Sequence, residues 1–162
     1  MMHYKKFALL VESFLKLGRN LWMVGTGPEA PALKRLASEA PNIRLIPPVS
    51  DGELRTIYNG ATALLFPQVE DFGLVAAEAQ ACGTPVIAYA GGGALEIVQE
   101  GRTGVFFHEQ SVESVVDAVR RFEQMRFDRE EVSRLSKRFS MEQFRDGMLG
   151  SLPAHIREKC SG

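Results

Sequence analysis

The chain has 162 residues, 45% of them hydrophobic and 24% charged, which is enough for one globular domain with a real core and too few for two of ordinary size. With 19 basic against 20 acidic side chains the formal net charge is −1, so the bulk balance recruits neither nucleic acid nor an anionic bilayer, and any affinity for phosphate must come from local groups. The apolar runs are short of a membrane span, the start Met-Met-His-Tyr-Lys-Lys lacks the apolar core of a secretory signal, and Cys82 and Cys160 make neither a disulfide framework nor a metal cluster.

Tyr4 to Leu17 places Phe7, Leu10, Val11, Phe14 and Leu15 on one helical face, and Gly18 stops that helix. Leu21 to Val24 is a short buried strand ended by Gly25-Thr26-Gly27-Pro28, a strand-to-helix turn more than a phosphate cradle. A helix over Pro31 to Ala40 carries Leu33, Leu36 and Ala37 inward, and Pro41-Asn42 turns the chain into the strand Ile43 to Ile46. Pro47-Pro48 ends it, and Ser50-x-x-Glu53 is a capping-box pattern opening a helix with Leu54, Ile57 and Tyr58 inward, closed by Asn59-Gly60. A strand over Ala63 to Phe66, a charged loop, a helix over Leu74 to Cys82, a strand over Pro85 to Ala88, the glycines Gly91 to Gly93 and a helix over Ala94 to Val98 follow. Gly104 to Phe107 is the last strand. Ser111 caps a helix over Val112 to Phe122, and the patterns Asp128-x-x-Glu131 and Ser140-x-x-Gln143 open two more.

Mostly apolar strands alternating with helices over short connections mean a parallel sheet covered on both faces. The expected fold is therefore α/β, a Rossmann-like doubly wound parallel sheet of five or so strands flanked by helices. Residues 1–150 form the domain and 151–162 a loosely held tail. A doubly wound domain ordinarily begins with a strand, and this chain begins with a helix.

The chemistry concentrates between residues 63 and 98, where two helix N-termini each follow flexible backbone at the end of a strand, as an anionic ligand would require. Glu70 and Glu78 flank the first of these. At about 1.5 Å per residue their separation along the axis is at most roughly 12 Å, too far for a pair sharing one reacting atom. It suits two ends of one long ligand: a hydroxylated group at Glu70, phosphates over the amides of Phe72, Gly73 and Leu74, and a ribose diol at Glu78. On spacing alone, Glu70 and Asp71 serve as well as favourable N-terminal charges, with Glu78 a solvated helix residue. His3, His108 and His155 show no metal-ligand spacing, and Arg120, Arg121, Arg126 and Arg129 read most simply as a solvated helix face.

The run Glu70-Asp-Phe-Gly-Leu-Val-Ala-Ala-Glu78-Ala-Gln-Ala-Cys-Gly-Thr-Pro-Val-Ile-Ala88, followed by Gly92-Gly93-Ala-Leu-Glu96-Ile-Val98, resembles the donor-binding signature of family-four retaining glycosyltransferases of the GT-B fold. The resemblance extends from about Tyr4 to Phe144. It implies that Glu70 holds hydroxyls of the transferred sugar, that Phe72 to Leu74 lie near sugar and diphosphate, and that Glu78 holds the ribose. Lys5 aligns with a lysine that neutralises the departing diphosphate, an electrostatic role. The family's accompanying arginine and first strand would fall before Met1. Val49 and Asp51 border the base, where Pro47 replaces a usual glycine and removes an amide donor. Gly92 and Gly93 either approach the sugar and phosphates or form a plain turn.

The resemblance thus implies one half of a GT-B fold: a nucleotide-sugar domain of a transferase acting on an acceptor hydroxyl, with no required metal or cofactor. The start Tyr-Lys-Lys-Phe and the Glu-Asp-Phe-Gly core look most like the mannosyltransferase branch of polysaccharide biosynthesis, with GDP-mannose as donor. The acceptor site of the family lies mainly on another domain, so this chain alone is expected to bind donor weakly and to transfer no sugar. A stand-alone module partnering a separate acceptor domain, and a non-catalytic degenerate α/β domain that dimerises through an exposed sheet edge, are the alternatives. The expected location is cytoplasmic, peripheral to a membrane if the acceptor is lipid-linked.

Overall fold

The computed structural model describes residues 6–38 and 40–151. Helix α1 (Phe7–Leu17) buries Leu10, Val11 and Phe14 and ends at Gly18, whose left-handed φ of 67° lets its N–H donate to the Phe14 carbonyl. Tyr4 and Lys5, expected in its first turn, lie outside the described residues. Strand β1 (Leu21–Val24) leads to α2 (Ala30–Leu36), which is shorter than expected: past it the Ser38 N–H donates to the Arg35 carbonyl and the Ala40 N–H to the Ala37 carbonyl, three-residue turns in place of the helical four, although Ala37 and Ala40 remain buried. Strand β2 (Ile43–Ile46) pairs in parallel with β1, Leu21 opposite Ile43 through Val24 opposite Ile46.

Helix α3 (Asp51–Gly60) begins with the expected reciprocal capping box, the Glu53 N–H donating to Ser50 Oγ and the Ser50 N–H to the Glu53 carboxylate. Then come β3 (Leu64–Phe66), α4 (Leu74–Ala81), β4 (Val86–Tyr89), α5 (Ala94–Ile97), β5 (Gly104–Phe107), α6 (Val112–Glu123), α7 (Arg129–Ser136), a 3-10 turn (Lys137–Phe139) and α8 (Met141–Ser151). Ser111 and Asp128 cap α6 and α7 through their side chains, as their positions predict. The tail expected over 151–162 lies outside the described residues except for Ser151.

The five strands are all parallel, and they divide between a two-stranded sheet, β1–β2, and a three-stranded sheet in the order β3–β4–β5. Among the described residues β1 and β3 each have a single strand neighbour, so no strand joins the two sheets. The joining is done by helices. Helix α1 packs on both α6 and α2, and one continuous apolar core takes in Leu21, Met23 and Ile43 from one sheet and Ile87, Val105 and Phe107 from the other. A second core on the opposite face holds Phe66, Ala76, Val86, Ala88, Ala94 and Ile97. Strand β4 shows why: Ile87 points to the first core while Val86 and Ala88 point to the second, the two-residue alternation of a strand buried on both faces. This is the doubly wound layering expected from the sequence, and it presents the loops after β3 and β4 side by side.

Candidate functional site

The segment after β3 leaves the sheet through buried Phe66 and Pro67, and the Gln110 side-chain amide fixes it by donating to the Pro67 carbonyl at 2.8 Å. It ends at Gly73, the residue before α4, with φ 65° and ψ 38°. That left-handed geometry favours glycine, and a side chain there would also crowd Ile97 and Phe66. Among the described residues no side chain caps the helix, so its first amides lack a side-chain acceptor at the positive end of its dipole. Phe72 is 80% exposed and Leu74 68% exposed, so apolar side chains stand open on both sides of this uncapped terminus.

The loop is clamped from beside. The Gly93 N–H donates to the Glu70 carbonyl at 2.7 Å, and Gly92 and Gly93 sit so close that a Cβ on the first would lie 2.5 Å from the Glu70 carbonyl oxygen and on the second 2.6 Å from that of Asp71. Both glycines therefore seat the Glu70 loop through backbone contact. Above this frame the Glu70 carboxylate is half-buried and accepts a long hydrogen bond, 3.4 Å, from the Gln68 side-chain amide.

Glu78 stands one turn below Leu74 on the exposed stripe of α4. It lines a groove of about 1110 Å³ between α3, α4 and α7, with Asp51, Arg55, Tyr58, Cys82 and Arg134 among its walls. Burial pushes the Tyr58 hydroxyl up to about 12, and the charges of Glu78 and Cys82 add to the effect. The groove thus brings Asp51 and Glu78 together, the residues expected at the base and the ribose. Val49, half-buried before α3, is not part of its lining. Lys5 lies outside the described residues, so the expected cation has no position here.

One sequence reading is corrected. Arg129 is exposed, as a solvated face requires, but does more than meet water: its guanidinium donates to the carbonyls of Asn59 and Ala61 at the end of α3 and to Thr84 Oγ1, along the wall of the groove. Arg121 likewise reaches the Phe106 carbonyl at 2.6 Å. These partners lie 15 to 70 residues away in sequence, and no local pattern announces them. Gln68 was equally silent, a polar residue between a strand and an acidic pair.

The family model for glycosyl transferases, group 1, matches residues 1–139. A D-inositol 3-phosphate glycosyltransferase of Nocardioides sp. is 44% identical across 60% of this chain, and the match covers 24% of that protein, so the chain spans about a quarter of the length of such relatives. Among solved structures, sucrose-phosphate synthase of Thermosynechococcus elongatus superposes with a TM-score of 0.69 and 27% identity, over 84% of this chain and 36% of that one. Anabaena Alr3699/HepE, in complex with UDP-glucose, superposes with a TM-score of 0.68 over 84% of this chain and 39% of that one, and at 18% identity shares the fold. With its parallel α/β layers and its Glu70–Glu78 signature inside the matched region, the chain belongs to the group 1 glycosyltransferases and represents one half of their GT-B fold.

Proposed function

We propose that this chain is the donor-binding half of a retaining sugar transferase and takes a nucleoside diphosphate hexose. The observation that carries the reading is the uncapped N-terminus of α4, entered through left-handed Gly73 and bracketed by Glu70 and Glu78. In this arrangement the Glu70 carboxylate accepts from sugar hydroxyls, the amides of Phe72, Gly73 and Leu74 donate to the diphosphate, and Glu78 accepts from the ribose diol. Asp51 and Val49 border the base, and Gly92 and Gly93 serve by holding the Glu70 loop. As the bond from the anomeric carbon to the phosphate oxygen breaks, charge gathers on the diphosphate, and the Lys5 ammonium neutralises it. No metal takes part.

GDP-mannose is the first donor to try, on the resemblance to mannosyltransferases. UDP-glucose is the second, because a protein of the same fold holds it. The chain alone binds donor and transfers no sugar, since its share of the relatives' length leaves the acceptor half to other residues.

Calorimetric titration with GDP-mannose, UDP-glucose, GDP and UDP tests the reading. Saturable binding of one sugar nucleotide is expected, unchanged by EDTA and weakened about 10-fold or more by Glu78→Ala, the cost of a charge-assisted hydrogen-bonded pair. Absence of saturation with every donor, or a Glu78→Ala chain that binds as the parent does, refutes it.

A further inference from the structure

Gln68 is 4% exposed, and its side-chain carbonyl oxygen is the buried side-chain atom that lacks a hydrogen-bond partner among the described residues. Folded proteins seldom keep such an atom, because an apolar side chain of the same shape would fill the space without the desolvation penalty. The other end of the same amide is spoken for. Its Nε2 faces the Glu70 Oε1 at 3.4 Å, and since an ionised carboxylate only accepts, it is the NH2 end that turns toward Glu70. The backbone beneath cannot drift to release it: the Pro67 carbonyl accepts from Gln110, and the Glu70 carbonyl from the Gly93 N–H.

We propose that Gln68 is a positioning residue whose buried amide aims the Glu70 carboxylate at the hexose of the donor. The inference rests on the donor-site reading above and deepens it. Glu70 sits in a loop, and a loop glutamate with three rotatable side-chain bonds samples several directions unless neighbours hold it. The unpartnered carbonyl is then the structural cost of placing an amide donor under that carboxylate. An asparagine is too short to reach Glu70 from the same backbone, and a hydrocarbon cannot donate. The nucleotide end of the ligand, read by the α4 amides and by Glu78, lies outside the reach of Gln68. Sugar recognition and nucleotide recognition are therefore separable at this residue.

The test uses the whole chain and the nucleotide pair the parent binds, GDP with GDP-mannose or UDP with UDP-glucose. Gln68→Met keeps the side-chain length and removes both polar ends. The expected result is threefold: a thermal midpoint equal to or above that of the parent, free nucleotide bound within about twofold of the parent, and sugar nucleotide bound about 10-fold more weakly. Gln68→Glu sets a second carboxylate against Glu70 and loses at least as much sugar-nucleotide affinity while still binding the free nucleotide. A lowered midpoint with equal losses for both ligands would assign Gln68 to the fold and overturn the proposal. So would full sugar-nucleotide affinity in Gln68→Met. In both cases the parent and its Glu78→Ala control still report on the donor site, and a parent that binds no sugar nucleotide overturns both readings together.

Discussion

Gly93→Ala isolates the contact that seats the Glu70 loop. The backbone of Gly93, at φ −60° and ψ −18°, is one any residue adopts, so the substitution adds no torsional strain. What it adds is a methyl group 2.6 Å from the Asp71 carbonyl oxygen, 2.8 Å from the Phe72 carbonyl carbon and 2.9 Å from its oxygen, all backbone atoms without a flexible end. Overpacking of this kind costs about 1–3 kcal/mol, and losing the 2.7 Å bond from the Gly93 N–H to the Glu70 carbonyl adds about 1 kcal/mol. The sum, about 2–4 kcal/mol, corresponds for a chain of this size to a thermal midpoint about 5–15 °C lower. Gly52→Ala is the control, since it lies in the first turn of α3 with open space where the methyl would go and should be neutral or stabilising by up to about 1 kcal/mol. Thermal and urea denaturation of both variants decide the matter. A Gly93→Ala chain within about 0.5 kcal/mol of the parent would show that the two loops are not locked together, and the argument for a fixed Glu70 would go with it.

Arg129→Met removes a guanidinium that satisfies carbonyls at the end of α3 and the Thr84 hydroxyl. Because the residue is exposed, a loss of about 1 kcal/mol in urea denaturation is expected, where an arginine without these partners would cost almost nothing. Tyr58 sets an alkaline limit. Its hydroxyl is raised to about 12 in the fold against about 10 unfolded, so its contribution is intact below pH 10 and is lost as pH rises through 12, by about 1–2 kcal/mol once solvent screening is discounted. Tyr58→Phe should flatten the fall in stability between pH 10 and 12, and an unchanged slope would show that the tyrosine is solvated in the folded chain.

The layers of the fold were legible because they rest on local signals: the apolar run of β4, the reciprocal Ser50–Glu53 cap, and the left-handed Gly18 after an amphipathic helix. Strand β4 even reveals that it is buried on both sides, since Val86, Ile87 and Ala88 are all apolar. The division of the strands into two sheets was less legible, because pairing depends on which edges meet and not on any strand's own composition. The α2 end falls four residues short of Ala40, since Ala37 to Ala40 is compatible with helix and only the three-residue turns from Ser38 to Arg35 and from Ala40 to Ala37 decide against it. In the site, Glu70, Gly73 and Glu78 carried a spacing that could be read as a ruler. Arg129 and Gln68 carried none, because one acts through carbonyls at distant helix ends and the other through a single buried amide.

The electrostatics of this site are at first sight adverse, and they narrow what it can hold. Glu70, Asp71 and Glu78 put negative charge around a helix terminus worth only about +0.5 of a charge. A free nucleoside diphosphate presents a terminal phosphate of about −1.5 to −2, whereas esterification to a sugar leaves that phosphate with a single charge. The same esterification supplies hydroxyls, which a carboxylate accepts and which a bare phosphate cannot offer. The carboxylates thus work against free diphosphate and in favour of the sugar ester, by repulsion in one case and by hydrogen bonding in the other. In the donor site proposed above, selection of the intact donor over the spent nucleotide would depend on the direction of one carboxylate, that of Glu70, and Gln68 from below and Gly93 through the loop backbone are among the groups that hold it.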